Sequence, residues 1–442
     1  MVLLVSTYDL GRQPFGLASA AAALRAAGHD VICSDLARQK LDAEVVGRAA
    51  AIAFFLPMHT ATRLAMPVID RVRSLNPDAQ LIAYGLYAPL NAQALRERGI
   101  TAIVGGEFED DLVRSVCQPA VDQPVVASVP RVTFRIPDRS GLLPLARYAT
   151  LQQGSERRVT GYTEASRGCK HRCRHCPIVP VYDGRFRIVP VPVVIADIAG
   201  QVEAGARHIT FGDPDFFNGI GHATAVIREF AERFPGTSYD VTIKIEHLLR
   251  HHDRLPLLRD TGCAFVISAV ESIDDEVLTA LEKGHTRADF EQAVALFDRV
   301  GLPLAPTFVA FTPWTTLESY CELLQAIDRL RLIEHVAPIQ LAIRLLITEG
   351  SRLLELPDVR RLTGAFDHGS LTYRWTHPDS RVDALQKDVE RIVGVNLSAS
   401  RRNVFERIWQ LAHERAALPL RPTSPPLPSR ATIPYLNEPW YC

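Results

Sequence analysis

A chain of 442 residues, 47% of them hydrophobic, with a formal net charge of −1, is long enough for two or three domains that each bury a core. Near-neutral charge excludes the concentrated basic face that non-specific nucleic-acid binding needs, and no apolar run reaches the roughly 18 residues of a membrane helix. The opening Met-Val-Leu-Leu-Val-Ser has no basic n-region and soon reaches Tyr8, Asp9 and Arg12, so it reads as no signal peptide and a cytoplasmic protein is expected.

Residues 1–117 alternate short apolar runs with helical patterns. Strands are predicted at Val2–Ser6, Asp30–Ser34, Ala50–Leu56, Gln80–Tyr84 and Thr101–Val104. Leu17, Ala21 and Leu24 mark one helix face between them, and Leu64, Val68, Ile69 and Val72 another. Gly28 and Gly99 stand where helix C-caps belong. Such alternation predicts βαβ units in a parallel sheet with a ligand at the C-terminal strand ends. Gly11, Gly85, Gly105 and Gly106 lie at those ends and would admit backbone close to a bulky ligand.

Residues 118–159 are broken by Pro119, Pro124, Pro130, Pro137 and Pro144 and read as a linker. Alternation resumes over 160–350. Strands are predicted at Tyr162–Ala165, His208–Phe211, Val241–Ile245, Ala264–Ser268, Leu304–Phe311 and Ile339–Leu346, with helices including Asp275–Glu282, Asp289–Val300 and Thr316–Leu330. Over 351–442 the pattern weakens to helices at Asp383–Val393 and Asn403–Ala412, then a proline-rich tail from residue 419.

Between the first two strands of that second block stands Ser166-Arg-Gly-Cys-Lys-His-Arg-Cys-Arg-His-Cys-Pro177. Cys169, Cys173 and Cys176 are spaced C-x3-C-x2-C. Three thiolates on one short loop suit a soft metal centre, because sulfur ligands select iron–sulfur clusters, zinc or copper(I). Zinc would need a fourth ligand, for which His171 and His175 are at hand, yet no second C-x2-C or H-x3-H pair follows at finger spacing. Lys170, Arg172 and Arg174 would help lower the thiol pKa. Cys33, Cys117, Cys263 and Cys321 sit in apolar patterns and read as small core residues.

The cysteine spacing resembles that of the radical S-adenosylmethionine (SAM) enzymes. The resemblance implies that Cys169, Cys173 and Cys176 hold three irons of a [4Fe–4S] cluster, while the fourth iron chelates SAM and an electron from a donor such as flavodoxin or ferredoxin cleaves a carbon–sulfur bond of the sulfonium. It implies an α/β fold: an N-terminal Rossmann-like (cobalamin-binding-type) domain, a partial (β/α)6 barrel and a small helical C-terminal region with an extended tail. The matching pieces of the first domain are Asp9-Leu10-Gly11, Tyr84-Gly85 and Gly105-Gly106-Glu107; the D-x-H-x-x-G motif that supplies an axial histidine in some such domains is missing, which leaves cobalamin bound without that ligand as one implied cofactor.

SAM contacts are expected at successive strand ends. Gly212, Asp213 and Asp215 occupy the place of the family's contact to the methionine amine, although Asp213 as a helix cap is the plainer alternative. Lys244 and Glu246 close the third strand; Glu271 and Ser272 follow the fourth, in a stretch continuing to Leu281-Glu-Lys-Gly-His-Thr286 that closely resembles this class. Ribose hydroxyls or the SAM carboxylate are their expected partners, with a solvated network of Lys244, Glu246 and Lys283 as the alternative. Arg344, alone in Gln-Leu-Ala-Ile-Arg-Leu-Leu-Ile, needs an anion, for which the SAM carboxylate is a candidate.

The ending Glu438-Pro-Trp-Tyr-Cys442 resembles radical SAM proteins named for a Cys-Cys-Ala-Glu-Pro or Cys-selenocysteine-Ala-Glu-Pro tail, and stops one residue before that pentapeptide's second position. An in-frame selenocysteine codon read as a stop would explain this; a frayed terminus with an incidental thiol is the alternative. That family includes enzymes similar to those of arsinothricin biosynthesis, which implies transfer of the 3-amino-3-carboxypropyl group of SAM onto trivalent arsenic, with a catalytic thiol at Cys442 suited to a thiophilic substrate such as arsenite. The first domain implies the alternative of a cobalamin-dependent radical methyltransferase. A structural or redox-sensing cluster without catalysis is a further alternative, against which the strand-end residues argue, since a sensor would not need them.

Overall fold

A computed structural model describes residues 1–118, 123–396, 399–425 and 435–436; Cys442 lies outside the described residues. The first sheet contains β1 (Val2–Ser6), β2 (Val31–Asp35), β3 (Ala51–Phe55), β4 (Gln80–Tyr84), β5 (Ala102–Gly106) and β6 (Val126–Ser128), in the order β2-β1-β3-β4-β5-β6. Every pairing is parallel. All five residues of β1, β3, β4 and β5 are buried, which is why these strands appear in the sequence as unbroken apolar runs rather than alternations. Helix Phe15–Ala26 presses six small residues, two leucines and Phe15 into the core on one side, and His59–Leu75 buries Ala61, Ala65, Ile69 and Val72 on the other. The sheet runs past residue 117, because β6 forms within the expected linker and pairs with β5.

The glycines at the strand ends serve the chain's own packing. A Cβ at Gly105 would lie 2.3 Å from the Pro89 ring, and one at Gly106 would lie 2.1 Å from the Ser128 carbonyl oxygen.

The second sheet contains β7 (Thr150–Gln153), β8 (Glu156–Thr163), β11 (His208–Phe211), β12 (Ser238–Thr242), β13 (Cys263–Glu271), β14 (Leu304–Phe308) and β17 (Tyr435–Leu436), in the order β14-β13-β12-β11-β8-β7-β17. The run from β8 to β14 is parallel and curls into a half-barrel; β7 and β17 extend its edge antiparallel. A separate hairpin of β9 (Ser166–Gly168) and β10 (Phe186–Ile188) carries the cysteine loop between its strands. A second hairpin, β15 (Thr363–Asp367) and β16 (Thr372–Trp375), was not legible in the sequence. The expected helices near the C-terminus form as Ser380–Val395 and Arg401–Arg415.

The sixth barrel strand expected at Ile339–Leu346 does not form. Pro338–Leu341 is a 3₁₀ turn, and only a single bridge joins Arg344 to Phe311. The Gln340 side chain accepts a hydrogen bond from the Phe308 amide at 3.1 Å, so a side chain satisfies the edge of β14 in place of a strand. Among the described residues no helix is long and apolar enough to cross a membrane.

Candidate active site

The three cysteines converge because the hairpin below them is tightly held. Gly168, just before Cys169, has φ 74°, and a Cβ there would meet the Tyr182 ring at 2.3 Å and the Arg185 carbonyl oxygen at 2.6 Å. Glycine is the residue that takes this left-handed turn without clash. Asn218, from the turn after β11, then braces the loop: its Oδ1 accepts from the Lys170 amide at 3.3 Å and lies 3.9 Å from Cys169 Sγ, while its Nδ2 donates to the Gly168 carbonyl at 3.4 Å. The Cys176 amide donates to the Cys173 carbonyl at 3.2 Å, which closes a tight turn between the last two thiols.

Burial and mutual repulsion act together on the thiols. Burial pushes Cys169 up and carries Cys176 to about 12; Cys169 also feels the charge of Cys173, and Cys176 that of Cys173 and Cys169. A metal would relieve both effects by taking the thiolates as ligands. The positive charge that faces them comes from Lys244 and Lys283, both buried. Lys244 Nζ is 4.0 Å from Cys173 Sγ; burial opposes the charge of Lys283, but Glu271 and then the thiols hold its pKa above the ordinary value. The cations of the loop itself are engaged elsewhere. Arg172 pairs with Asp183 at 3.0 Å, Arg174 with Glu282 at 2.7 Å, and Lys170 donates to the Asn218 carbonyl.

The strand-end residues divide into two groups. One group surrounds the loop. Lys244 Nζ lies 3.8 Å from Glu246 Oε2, which lies 3.6 Å from His171 Nδ1. Glu271, at φ 69°, accepts from Lys283 at 3.3 Å and meets His175 Nε2 at 3.1 Å. Burial would raise its pKa, but Lys283 and His175 outweigh burial and hold it at about 2. Asp215 accepts from the Phe217 and Lys244 amides with one oxygen and turns the other toward His171 and His247. Burial, then Lys244, bring His171 down to about 4.

The other group serves the scaffold. Gly212 leaves room for Tyr162, whose hydroxyl would lie 1.8 Å from a Cβ there. Asp213 caps no helix; it accepts from the Ala165 amide at 2.9 Å and Ser166 Oγ at 2.5 Å, so both oxygens fasten β9. Burial, opposed by those bonds, brings its pKa to about 7. Ser272 accepts from the Asp274 amide within a turn. Arg344 has its anion, but the anion is Asp383 at 2.7 Å; it also donates to the Trp375 carbonyl and lies 3.5 Å over the Trp375 ring. Of the cysteines expected in the core, Cys33, Cys263 and Cys321 are buried, whereas Cys117 is exposed and lies 3.5 Å from His29 Nε2.

Two contributors escaped sequence reasoning. Asn218 gave no signal beyond its position after an Asp-Pro-Asp turn. Arg167 lies inside the cysteine motif, yet its role depends on the first domain: it pairs with Glu107, Glu109 and Glu164 at 3.2, 2.7 and 2.8 Å, and Tyr182 donates to Glu107 at 3.2 Å.

A cavity of about 470 Å³ opens beside Glu271 and Ser272 and is lined further by Arg287, Thr312, Thr315 and Tyr320. That volume suits a small organic molecule. The donor set, three converging thiols with two buried lysines, fits a [4Fe–4S] cluster and an anionic group of SAM. A corrin entering at the C-terminal ends of the first sheet would meet Phe55, Leu56, Phe108 and Glu107, all buried, with Arg167 and Tyr182 bonded to Glu107.

Residues 163–330 match the Radical SAM superfamily, and this stretch is a radical SAM domain. The family implies a [4Fe–4S] cluster and SAM. Over 186 residues the chain is 23% identical to a tRNA-2-methylthio-N(6)-dimethylallyladenosine synthase of Sulfurihydrogenibium sp. (strain YO3AOP1), covering 39% of this chain and 41% of that protein. Over 172 residues it is 24% identical to the ribosomal protein uS12 methylthiotransferase RimO of Desulfosudis oleivorans, covering 36% and 38%. The match thus spans about two fifths of the length of these curated relatives. Among solved structures, the cobalamin-dependent radical SAM enzyme OxsB with aqua-cobalamin bound superposes with a TM-score of 0.71 at 14% identity, over 94% of this chain and 71% of that one. The radical SAM methyltransferase TsrM from Kitasatospora setae gives 0.58 at 18% identity, over 75% and 71%. Both likenesses concern the fold, which extends across the first domain as well as the half-barrel in the case of OxsB.

Proposed function

We propose that the chain is a radical SAM transferase that reductively cleaves SAM and passes its 3-amino-3-carboxypropyl group to trivalent arsenic. The observation that carries the SAM-cleaving part is the convergence of Cys169, Cys173 and Cys176 beneath Lys244 and Lys283. When bound, the cluster and SAM supply one-electron cleavage of a sulfonium carbon–sulfur bond.

The chain's own residues set the geometry. Asn218 and Gly168 fix the loop, and the buried ammonium of Lys244 offers a counter-charge at Cys173. Glu271, kept ionised by Lys283 and His175, stands at the boundary between the loop and the 470 Å³ cavity, where it can accept hydrogen bonds from a ribose or an ammonium. The cavity then takes the small-molecule acceptor. Overall, SAM and arsenous acid take up two electrons and a proton and give methylthioadenosine, the carbon–arsenic product and water; the electrons come from a one-electron donor of the flavodoxin or ferredoxin class.

The arsenic acceptor is supported by the tail resemblance ending in Cys442, a soft thiol for a thiophilic substrate. The second reading, a cobalamin-dependent methyltransferase, is favoured by the likeness to OxsB over 94% of this chain. Anaerobic turnover with reductant, SAM and arsenite separates them. Methylthioadenosine with a carbon–arsenic product supports the first. S-adenosylhomocysteine or 5′-deoxyadenosine with methylated product, dependent on added cobalamin, supports the second and sinks the first.

A further inference from the structure

Beside the cysteine loop lies a second set of donors that the chemistry above does not use. Asp215 follows β11, His247 lies in the helix Ile245–Arg250 after β12, and His171 stands within the loop between Cys169 and Cys173. Each can present one ligand atom such that all three atoms fall within 4.8 Å of one another. Asp215 and His247 are fully buried, and His171 is 16% exposed.

These groups are not satisfied as a hydrogen-bonded cluster. His247 Nδ1 and Asp215 Oδ2 approach to 2.6 Å, yet neither atom has a hydrogen-bond partner, because the proton and lone-pair directions do not align. His247 Nε2 and His171 Nε2 are also without partners. Buried polar atoms left unpaired are costly, and each of the three residues has at least one here, so the cluster calls for an occupant. The His171 and His247 rings lie 4.9 Å apart between centroids, tilted by 58°.

We propose that His171, Asp215 and His247 hold a single divalent first-row transition ion, distinct from the cluster on the neighbouring thiols. Two imidazoles and a carboxylate select zinc or ferrous iron over calcium or magnesium. The observed separations from Asp215 Oδ2, 2.6 Å to His247 and 3.7 Å to His171, bracket the ~3.3 Å that tetrahedral bonds of about 2.0–2.1 Å set between ligand atoms. The ion would tie the cluster loop, through His171, to the ends of β11 and β12. It would neutralise the Asp215 carboxylate and leave an open position for water, while Glu246 Oε2, 3.6 Å from His171 Nδ1, faces the other ring nitrogen and can orient the imidazole.

The test uses the full chain. Replacing all three cysteines with alanine removes the thiol site; Co2+ is then added and its visible spectrum recorded. Weak d–d bands of a nitrogen–oxygen site at about one ion per chain, lost in His247→Gln and in the less buried His171→Gln made in the same background, bear the proposal out. Thiolate charge transfer from other cysteines, no spectrum at all, or bands retained equally in both histidine variants (an adventitious ion only) overturn it. In the reconstituted native chain the same site should hold zinc or iron beyond the cluster's complement, lost in His171→Gln while the cluster absorbance persists; metal content identical in native and variant chains contradicts the assignment.

Discussion

Arg167 Nη1 lies 2.7 Å from Glu109 Oε1, joining the strand that leads into the cysteine loop to the first helix beyond β5. Glu107 and Glu164 complete the set, and the guanidinium also lies over the rings of Phe15, Phe108 and Phe134. Burial raises the pKa of Glu107 and Glu164, and Arg167 opposes that rise. Removing the cation strands these carboxylates in a dry interior. Arg167→Met should destabilise the chain by about 3–5 kcal/mol in chemical denaturation and lower cluster retention with it. Unchanged stability would show that the domains meet without this pair.

Asn218 should matter to the cluster rather than to the fold. It bonds to Lys170 and Gly168 on either side of Cys169, so Asn218→Ala frees that segment at a cost of about 1–3 kcal/mol. We expect reconstituted iron to fall and the cluster to bleach faster in air, while the unfolding midpoint shifts only by that amount. Normal cluster lifetime would remove Asn218 from the brace.

Arg344 yields the opposite prediction from the one its sequence context suggests. Its anion is Asp383, and Trp375 lies under it. Arg344→Gln should therefore lower stability by about 1–3 kcal/mol and leave the affinity for SAM unchanged by equilibrium dialysis. A tenfold weaker SAM affinity would restore the SAM carboxylate as its partner.

Asp9 supplies a pH test away from the thiols. Burial, opposed by Arg12, raises its pKa to about 7. The native state therefore holds this proton more tightly than the unfolded chain, so the group's contribution favours folding at low pH and is lost as pH rises from about 4 through 7. Asp9→Asn should match the native chain near pH 4 and exceed it in thermal stability by pH 8, by a few kcal/mol at most. A gain independent of pH would place the Asp9 pKa at its ordinary value.

The cysteine triad was legible because its three ligands lie within eight residues, and the strands because burial on both faces turns them into apolar runs. Asn218 was not, since its partners Gly168 and Lys170 lie some fifty residues away and no local pattern announces the contact. The segment around Arg344 misled for a related reason: its apolar run reads as a strand, but Gln340 satisfies the Phe308 amide and leaves the backbone only one bridge. The close neighbours of Gly105 and Gly106, Pro89 and Ser128, were not legible because they come from other segments of the chain. Hairpin β15–β16 lacked the alternation of a half-buried pair, with two of the five residues in β15 exposed.

The most direct measurement is anaerobic turnover of SAM by the reconstituted chain with a one-electron reductant and arsenite, with the adenosine products resolved by mass. Methylthioadenosine should accumulate with reductant and disappear, together with bound iron, in Cys173→Ala. SAM left intact, or equal cleavage by the Cys173→Ala chain, would contradict the assignment of these thiols as the seat of the reaction.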